Sequence, residues 1–314
     1  MFLTLVGLVV VVLRAADFEG FIRTIRRAQP AWFVAALALQ ITTYCNVAMG
    51  WRAVLRAAGV SLPFAGLIRI ALSKLFADQV LPGAGMGGNI VLVDRLTALG
   101  CPRGAAMAAL LVSMVGYYAA YALLALIMLL VLALRHKATP VLAVLVLIFL
   151  VVALILPGAA LWLRSKGSRP LPRRLERIGA IARLVHVIGE APRDLIGRPG
   201  LIAQAALFNG LVFLADAATL GFCLKALGHP VPLSTMFVAV ISASIAVTLA
   251  PLPLGLGSFE ASCTGMLSLL GVPLAVAFAG TLLLRSLTLW LPLIPGLVLF
   301  RGFVFSRRGR GRRA

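Results

Sequence analysis

Residues 81–111 read LPGAGMGGNIVLVDRLTALGCPRGAAMAALL, and residues 252–282 read LPLGLGSFEASCTGMLSLLGVPLAVAFAGTL. Leu81/Leu252, Pro82/Pro253, Leu96/Leu267, Leu99/Leu270, Gly100/Gly271, Pro102/Pro273, Ala106/Ala277, Ala108/Ala279 and Leu111/Leu282 are identical at one offset of 171, with no gap. Upstream the correspondence continues at an offset of 169, through Pro30/Pro199, Leu55/Leu224, Ala57/Ala226, Gly59/Gly228 and Pro63/Pro232, with Arg56 facing Lys225. Each copy sets a Pro/Gly-rich break inside hydrophobic sequence. Paired interruptions in two halves of a membrane protein point to a transporter-type binding site. Each unit is read as a spanning helix (31–51; 201–224), a turn, a helix running into the break (64–80; 233–250), a short helix leaving it (88–99; 258–270), and a long spanning helix (103–134; 273–300).

Composition sets the solvent. Of 314 residues, 62% are hydrophobic and 12% charged, with a mean hydropathy of +1.07, outside the range of an ordinary soluble domain. The runs 31–49, 104–134, 138–163, 201–224, 233–250 and 273–300 equal or approach the roughly 20 residues a helix needs to cross about 30 Å of hydrocarbon. Residues 1–13 add a short apolar run. It is read as a first transmembrane helix rather than a secretory leader, because it lacks a basic n-region and no A-x-A-like site follows.

The net charge of +20 resembles a nucleic-acid signal until the arginines are located. About nine basic residues lie between Arg164 and Arg198, and about six between Arg301 and Arg313, the pattern of cytoplasmic loops that meet anionic headgroups. Basic and aromatic residues do not interleave on a soluble module, so nucleic acid is not an expected partner. Cys45, Cys101, Cys223 and Cys263 are dispersed in or beside apolar runs and read as buried thiols. His136, His186 and His229 have no partner at metal-ligand spacing, so neither a zinc site nor a His-based triad is expected.

If both basic regions are cytoplasmic, each broken pair contributes no net crossing. The expected fold is therefore all-α and polytopic, with about six spanning helices plus two re-entrant helical hairpins in inverted repeats. Its segments are 1–29 (first transmembrane helix and a surface amphipathic helix), 30–135 (repeat 1, with hairpin 64–99), 136–163 (connecting transmembrane helix), 164–198 (basic cytoplasmic loop), 199–300 (repeat 2, with hairpin 233–270) and 301–314 (basic cytoplasmic tail). Arg14, Arg23, Arg26 and Arg27 would then lie outside, against the positive-inside tendency. Asp17 and Glu19 offset part of that charge, and Phe18, Phe21, Ile22 and Ile25 fall on one face of a surface helix.

The chain has nine acidic residues. Asp78, Asp94, Asp216 and Glu260 lie in or beside membrane segments, where an ionisable group costs about 3 kcal/mol or more at the centre and marks a cavity lining. Arg69, Lys74, Arg95 and Arg285 are their basic counterparts, and Arg285 stands near the middle of its span. Gly83, Gly85 and Gly88 satisfy G-x-G-x-x-G, but no strand precedes them, so the dinucleotide reading is rejected. The helix after each break instead points free N–H groups and its positive end into the break, which suits a lipid phosphate. Structural alternatives stand beside these. Lys74 and Asp78, four apart, can neutralise each other. Asp94 and Arg95 can stand in water at the membrane boundary. Glu260 can be stabilised by the helix dipole alone. Asp216 can be held through Asn209 or a threonine, and Arg285 can pair with Glu260 or Asp216 to tie the two halves together.

The second break and its flanks read PLPLGLGSFEASCTGMLSLLGVPLAVAFAGTLLLRSLTLWLPLIPG. This resembles the P-x-P-x-G-x-G-x-x-E, L-G-V, R-x-x-x-x-x-L-P pattern of the flippase-like transmembrane family typified by the membrane region of lysylphosphatidylglycerol synthases. The matching positions are Pro251, Pro253, Gly255, Gly257, Glu260, Gly271, Arg285 and Pro292. LPGAGMGGNIVLVDRLTALG occupies the place of the family's first glycine-rich segment with its following arginine, here Arg95. Relatives often carry an acidic and basic pair in the helix after the first break, where this chain has Ser113-Met114-Val115-Gly116-Tyr117-Tyr118. The sequence contains no counterpart of the aminoacyl-transferring domain, and synthesis of an aminoacyl lipid is not expected. The resemblance implies movement of lipid between leaflets, with substrates ranging over phospholipids and other anionic or isoprenoid lipids.

The expected function is that of a flippase in the bacterial cytoplasmic (inner) membrane, with both termini cytoplasmic. Two inverted units would rock about a polar cavity where the breaks meet. The expected substrate-binding residues are Arg285, Glu260, Asp216, Arg95, Gly87, Gly88, Asn89, Gly255, Gly257 and Ser258. A G-x-x-x-x-G-K-[ST] motif is lacking, so movement is expected to follow a gradient or to couple to ions through Glu260 or Asp216, without ATP hydrolysis, catalytic residues, metal or cofactor. The rival readings are a membrane enzyme acting on lipid headgroups, with the intramembrane carboxylates as acid and base, and a non-transporting partner of a lipid- or glycan-synthesis enzyme.

Overall fold

A computed structural model describes residues 29–80, 86–137, 139–166, 192–250 and 255–299, and among them every regular element is helical. In chain order these are α1 (Pro30–Ala57), α2 (Phe64–Val80), α3 (Met86–Ala98), α4 (Arg103–Leu134), α5 (Pro140–Lys166), the single turn α6 (Arg193–Ile196), α7 (Pro199–Ala226), α8 (Leu233–Leu249), α9 (Ser258–Leu269) and α10 (Leu274–Leu299). The helix expected over 1–13, the surface helix, the tail and most of the basic loop lie outside the described residues. Of the six expected spans, five are described: α1, α4, α7, α10 and the Pro140–Ala159 stretch of α5 are each long and apolar enough to cross a membrane. The chain is a multi-pass membrane protein. Leu134, Val141, Leu154 and Ile294 stand largely exposed on these helices, as apolar side chains do where the solvent is lipid.

The helix boundaries repeat. α1 and α7 have 28 residues each, α2 and α8 have 17 each, and all four bounds of these pairs recur 169 positions on. Both units obey the same punctuation. Pro30 and Pro199 open their helices, where the missing N–H is one the helix cannot use anyway. Gly59, Gly100, Gly228 and Gly271 close theirs at φ between 74° and 97°. At each, the glycine N–H and the next N–H donate to carbonyls three and five residues back, as in Gly59 to Arg56 at 3.0 Å and Val60 to Leu55 at 2.9 Å. This is the Schellman closure, which requires a left-handed residue. α4 ends on the same two hydrogen bonds with His136 in the left-handed position, at φ 52°.

The described residues form two compact units, each drawing on both repeats. The first takes those within Met1–Tyr44, Leu124–Phe149 and Leu211–Pro295. In it α1 and α7 run antiparallel. The Gln29 N–H donates to the Ala226 carbonyl at 2.8 Å, Trp32 stacks on Phe222 at 5.8 Å, and Thr219 Oγ1 donates to Gln40 Oε1 at 3.4 Å. α8 packs on α9, and α9 on α10.

The second unit takes those within Cys45–Leu123, Leu150–Gly210 and Gly296–Ala314. Its core gathers Trp51, Leu55, Leu67, Leu92, Met107 and Leu111, and α2 packs on α3. Gly116 brings α4 against α7, since a Cβ there would meet the Ala206 nitrogen at 2.7 Å. Small residues at such crossings are how membrane helices approach closely without a hydrophobic driving force.

Candidate functional site

Glu260 organises the second break. It lies in the first turn of α9, three residues after Gly257, and its Oε2 accepts a hydrogen bond from the Gly257 N–H at 2.7 Å. A carboxylate reaching back in this way satisfies one of the donors a helix start leaves open. Gly255 (φ 61°) and Gly257 (φ 89°) supply left-handed backbone on either side of Leu256, and Ser258 Oγ donates to the Gly255 carbonyl at 3.2 Å. The other carboxylate oxygen, Oε1, accepts from Arg285 Nε at 2.8 Å.

Arg285 is the twelfth residue of the 26-residue helix α10, close to its middle. Its side chain is 12% exposed and that of Glu260 5%, and its guanidinium lies 4.9 Å from the centroid of the Phe259 ring. A guanidinium at mid-span is thus shielded from lipid by a carboxylate and an aromatic face. Directly after it, Ser286–Trp290 form a π-turn. Pro292 has no N–H to give an α-helical acceptor, and a π-turn is a means of absorbing such a mismatch. The π-turn starts at the residue that follows the arginine.

Asp216, on α7, lies near Gln40 of α1 and within electrostatic reach of Arg285. The expected links to Asn209 and a threonine are not the ones formed. Asn209 Nδ2 donates to the Ala205 carbonyl at 2.7 Å and Thr219 Oγ1 to the Ala215 carbonyl at 2.8 Å, each within its own helix. The expected pairing of Arg285 with Glu260 is formed. Glu260, Asp216 and Arg285 all belong to the second repeat, so their pairing is internal to it.

The first break is built differently. Asp78 Oδ1 accepts from the Gly88 N–H at 3.1 Å, and Asp78 Oδ2 accepts from Lys74 Nζ at 2.6 Å. The neutral Lys74–Asp78 pair expected from spacing is formed, and it also holds the start of α3. A Cβ on Gly88 would overlap the Asp78 carboxylate, so a side chain here would have to displace that carboxylate. Gly87 and Asn89 share that first turn. Arg95 Nη2 donates to the Leu299 carbonyl at 2.7 Å, which ties α3 to the last carbonyls of α10. Of the expected site residues, Arg285, Glu260, Asp216, Gly255, Gly257 and Ser258 belong to the first compact unit, and Arg95, Gly87, Gly88 and Asn89 to the second.

The family described as the lysylphosphatidylglycerol synthase TM region matches residues 1–296. The chain belongs to this family. No curated protein matches it. Membership makes it a membrane protein of lipid metabolism or transport. Within the lysylphosphatidylglycerol synthase TM pattern, Gly257, Glu260 and Arg285 form one continuous chain of contacts. Gly271 closes α9, Pro292 follows the π-turn, and Pro251 and Pro253 lie outside the described residues. Tyr44, Gln40 and Phe259 were not singled out by sequence reasoning. The polar run Gln40-Ile41-Thr42-Thr43-Tyr44 inside an otherwise apolar span was the available signal.

Proposed function

We propose that this protein carries a lipid with an anionic headgroup between the leaflets of the bacterial cytoplasmic membrane, with Arg285 as the headgroup's counter-charge and with no covalent step. The observation that carries this reading is the shielded Arg285–Glu260–Gly257 chain at the middle of a spanning helix. Glu260 occupies both the guanidinium and a helix-start N–H, the two groups a phosphate would choose. A headgroup phosphate can take Glu260's place on Arg285 while its acyl chains stay in the bilayer. ATP plays no part, and the second repeat supplies the charged residues.

In this reading the repeats are inverted and the breaks are re-entrant hairpins, an arrangement that suits alternating access. At 13 and 12 residues, α3 and α9 are about 20 and 18 Å long, short of the roughly 30 Å hydrocarbon core. The antiparallel course of α1 and α7, the leading helices of the two repeats, fits units of opposite sense. Both termini are then cytoplasmic.

In liposomes holding the purified protein, a fluorescent phosphatidylglycerol should exchange leaflets at least about tenfold faster than in empty liposomes, and Arg285→Ala should abolish the gain. Arg285→Lys should keep part of it, since charge remains but the planar fork does not. Equal exchange by wild type and Arg285→Ala would defeat the proposal.

A membrane enzyme is the second reading, favoured by Glu260 and Asp216 both acting on one guanidinium. A guanidinium does not exchange protons at working pH, so in that reading Glu260 and Asp216 would themselves be the acid and base. Recovery of chemically altered headgroups from the liposomes would establish that reading instead.

A further inference from the structure

The end of α4 fastens both members of the helical pair α8–α9. Arg135 Nη2 donates to Ser234 Oγ in the first turn of α8, and Lys137 Nζ donates at 3.1 Å to the carbonyl of Leu269, the last residue of α9. His136 stands between the two cations at φ 52°, a left-handed residue that turns the chain sharply, and its neighbours reach different helices. Further along the same contact Ser242 Oγ of α8 donates to Met128 Sδ of α4 at 3.2 Å. All of these residues belong to the first compact unit.

The position of this strap follows from its neighbours. α4 and the Pro140–Ala159 stretch of α5 are each long and apolar enough to span, so residues 135–139, which join them, lie at a membrane surface. The two bonds bring to that surface the turn from α7 into α8 and the turn from α9 into α10. Leu134, Leu233 and Leu269, at or next to the bonded positions, are largely exposed, which suits contact with acyl chains. Lys and Arg at the ends of membrane helices reach naturally to the headgroup layer.

Both cations of the strap are bonded to neutral acceptors. Arg135 and Lys137 are exposed, and the turns 135–139, 227–232 and 270–273 contain no Asp or Glu. A phosphodiester therefore adds an ionic attraction that a hydroxyl and a backbone carbonyl do not supply. The comparable tie in the second compact unit is built the other way round. There the cation is Arg95, half-buried on α3 itself, and the acceptor is the Leu299 carbonyl at the end of α10, at 2.7 Å. Only the pair α8–α9 is held by exposed cations from outside it.

We propose that Arg135 and Lys137 form a second site for anionic lipid, in which a headgroup phosphate draws the two cations off Ser234 and Leu269 and so unfastens the pair α8–α9. The site stands independently of the role of Arg285. Its occupant is a phosphodiester lipid of the adjoining leaflet, held by its phosphate on the cations and by its acyl chains against the exposed leucines. A ligand shifts such an equilibrium only through its differential affinity for the two states, and here the unfastened state alone offers both cations. Because α9 also carries Glu260, and with it the second break, the anionic lipid content of one leaflet sets how freely that break moves.

The test follows hydrogen exchange of the full-length protein in lipid nanodiscs. When phosphatidylglycerol replaces phosphatidylcholine, amides at the start of α8 and at the end of α9 should exchange about fivefold or more faster, while those of α2 and α3 keep their rates. The double variant Arg135→Gln, Lys137→Gln should exchange at the fast rate in both discs. Ser234→Ala, which leaves both charges in place, should quicken the start of α8 in phosphatidylcholine, and phosphatidylglycerol should then add acceleration only at the end of α9; this variant decides the matter if the double variant does not fold. Wild-type exchange left unchanged or slowed by phosphatidylglycerol overturns the proposal, as does a lipid response that survives in the double variant or that is equal in α2 and α3. Acceleration by inorganic phosphate in phosphatidylcholine discs would assign the cations to a soluble anion and overturn the lipid site.

Discussion

The two glycine breaks meet the same requirement with different chemistry. Each must satisfy N–H groups at the start of a short helix, and each does so with a carboxylate. In the first break the carboxylate and its cation are four residues apart on one helix, each 23% exposed. In the second the carboxylate stands on the helix after the break, its cation comes from the middle of the next helix, and the pair is 5% and 12% exposed. At the offset of 171 the counterparts of Glu260 and Arg285 are Asn89 and Met114. At the offset of 169 the counterpart of Asp78 is Val247, whose methyls lie 3.1 Å from where a Cβ on Gly255 would be. The same position thus faces the break in both copies, charged in one and apolar in the other. The first break is closed by a self-neutralised pair. The second pairs its carboxylate with a cation from the middle of the next helix.

That contrast is sharpest in stability. Glu260→Gln leaves a nearly buried guanidinium without its ionic partner and should cost about 3–5 kcal/mol. Asp78→Asn, in a pair more exposed than that of Glu260 and with an amide oxygen still able to accept from Gly88, should cost less, about 1 kcal/mol. Thermal unfolding of the two variants in detergent compares them directly, and equal shifts would erase the distinction between the breaks.

The glycines should separate as well. Gly88→Ala drives a methyl into the Asp78 carboxylate, a forced overlap worth about 1–3 kcal/mol. Gly257→Ala meets nothing within 4 Å and pays only for its sparsely populated positive-φ backbone (φ 89°, ψ −48°), about 1–3 kcal/mol. Adding Asp78→Ala to Gly88→Ala should recover part of the loss, whereas no neighbouring truncation should rescue Gly257→Ala. Unfolding temperatures of the single and double variants measure this.

Much of this architecture was legible in the sequence because its punctuation is chemical. Proline opens helices and left-handed glycine closes them, so Pro30, Pro199, Gly59, Gly100, Gly228 and Gly271 locate boundaries within a residue or two. The Arg285–Glu260 pairing was within reach for the same reason, since a charge at mid-span needs a nearby partner. What the sequence did not reveal depends on three-dimensional juxtaposition. Asp216 lies near Gln40 and Tyr44, more than 170 residues earlier in the chain, and no spacing rule links them. Asp78 holding Gly88 was equally hidden, because an i, i+4 partner already accounted for it.

The smallest expected effect tests the punctuation itself. His136 occupies the left-handed position that glycine fills at the four other closures. His136→Gly should therefore stabilise the protein by about 0.5–1 kcal/mol, through relief of the left-handed strain. A rise in unfolding temperature checks it, and a fall would mean that the imidazole contributes more than its backbone strain costs.

The central claim is that Arg285 receives the headgroup. An experimental map of the protein with bound phosphatidylglycerol tests it most directly. The account predicts phosphate density about 3 Å from the Arg285 guanidinium, at hydrogen-bonding distance, with Glu260 displaced from it. Phosphate density elsewhere, with the Arg285–Glu260 pair intact, would contradict the account.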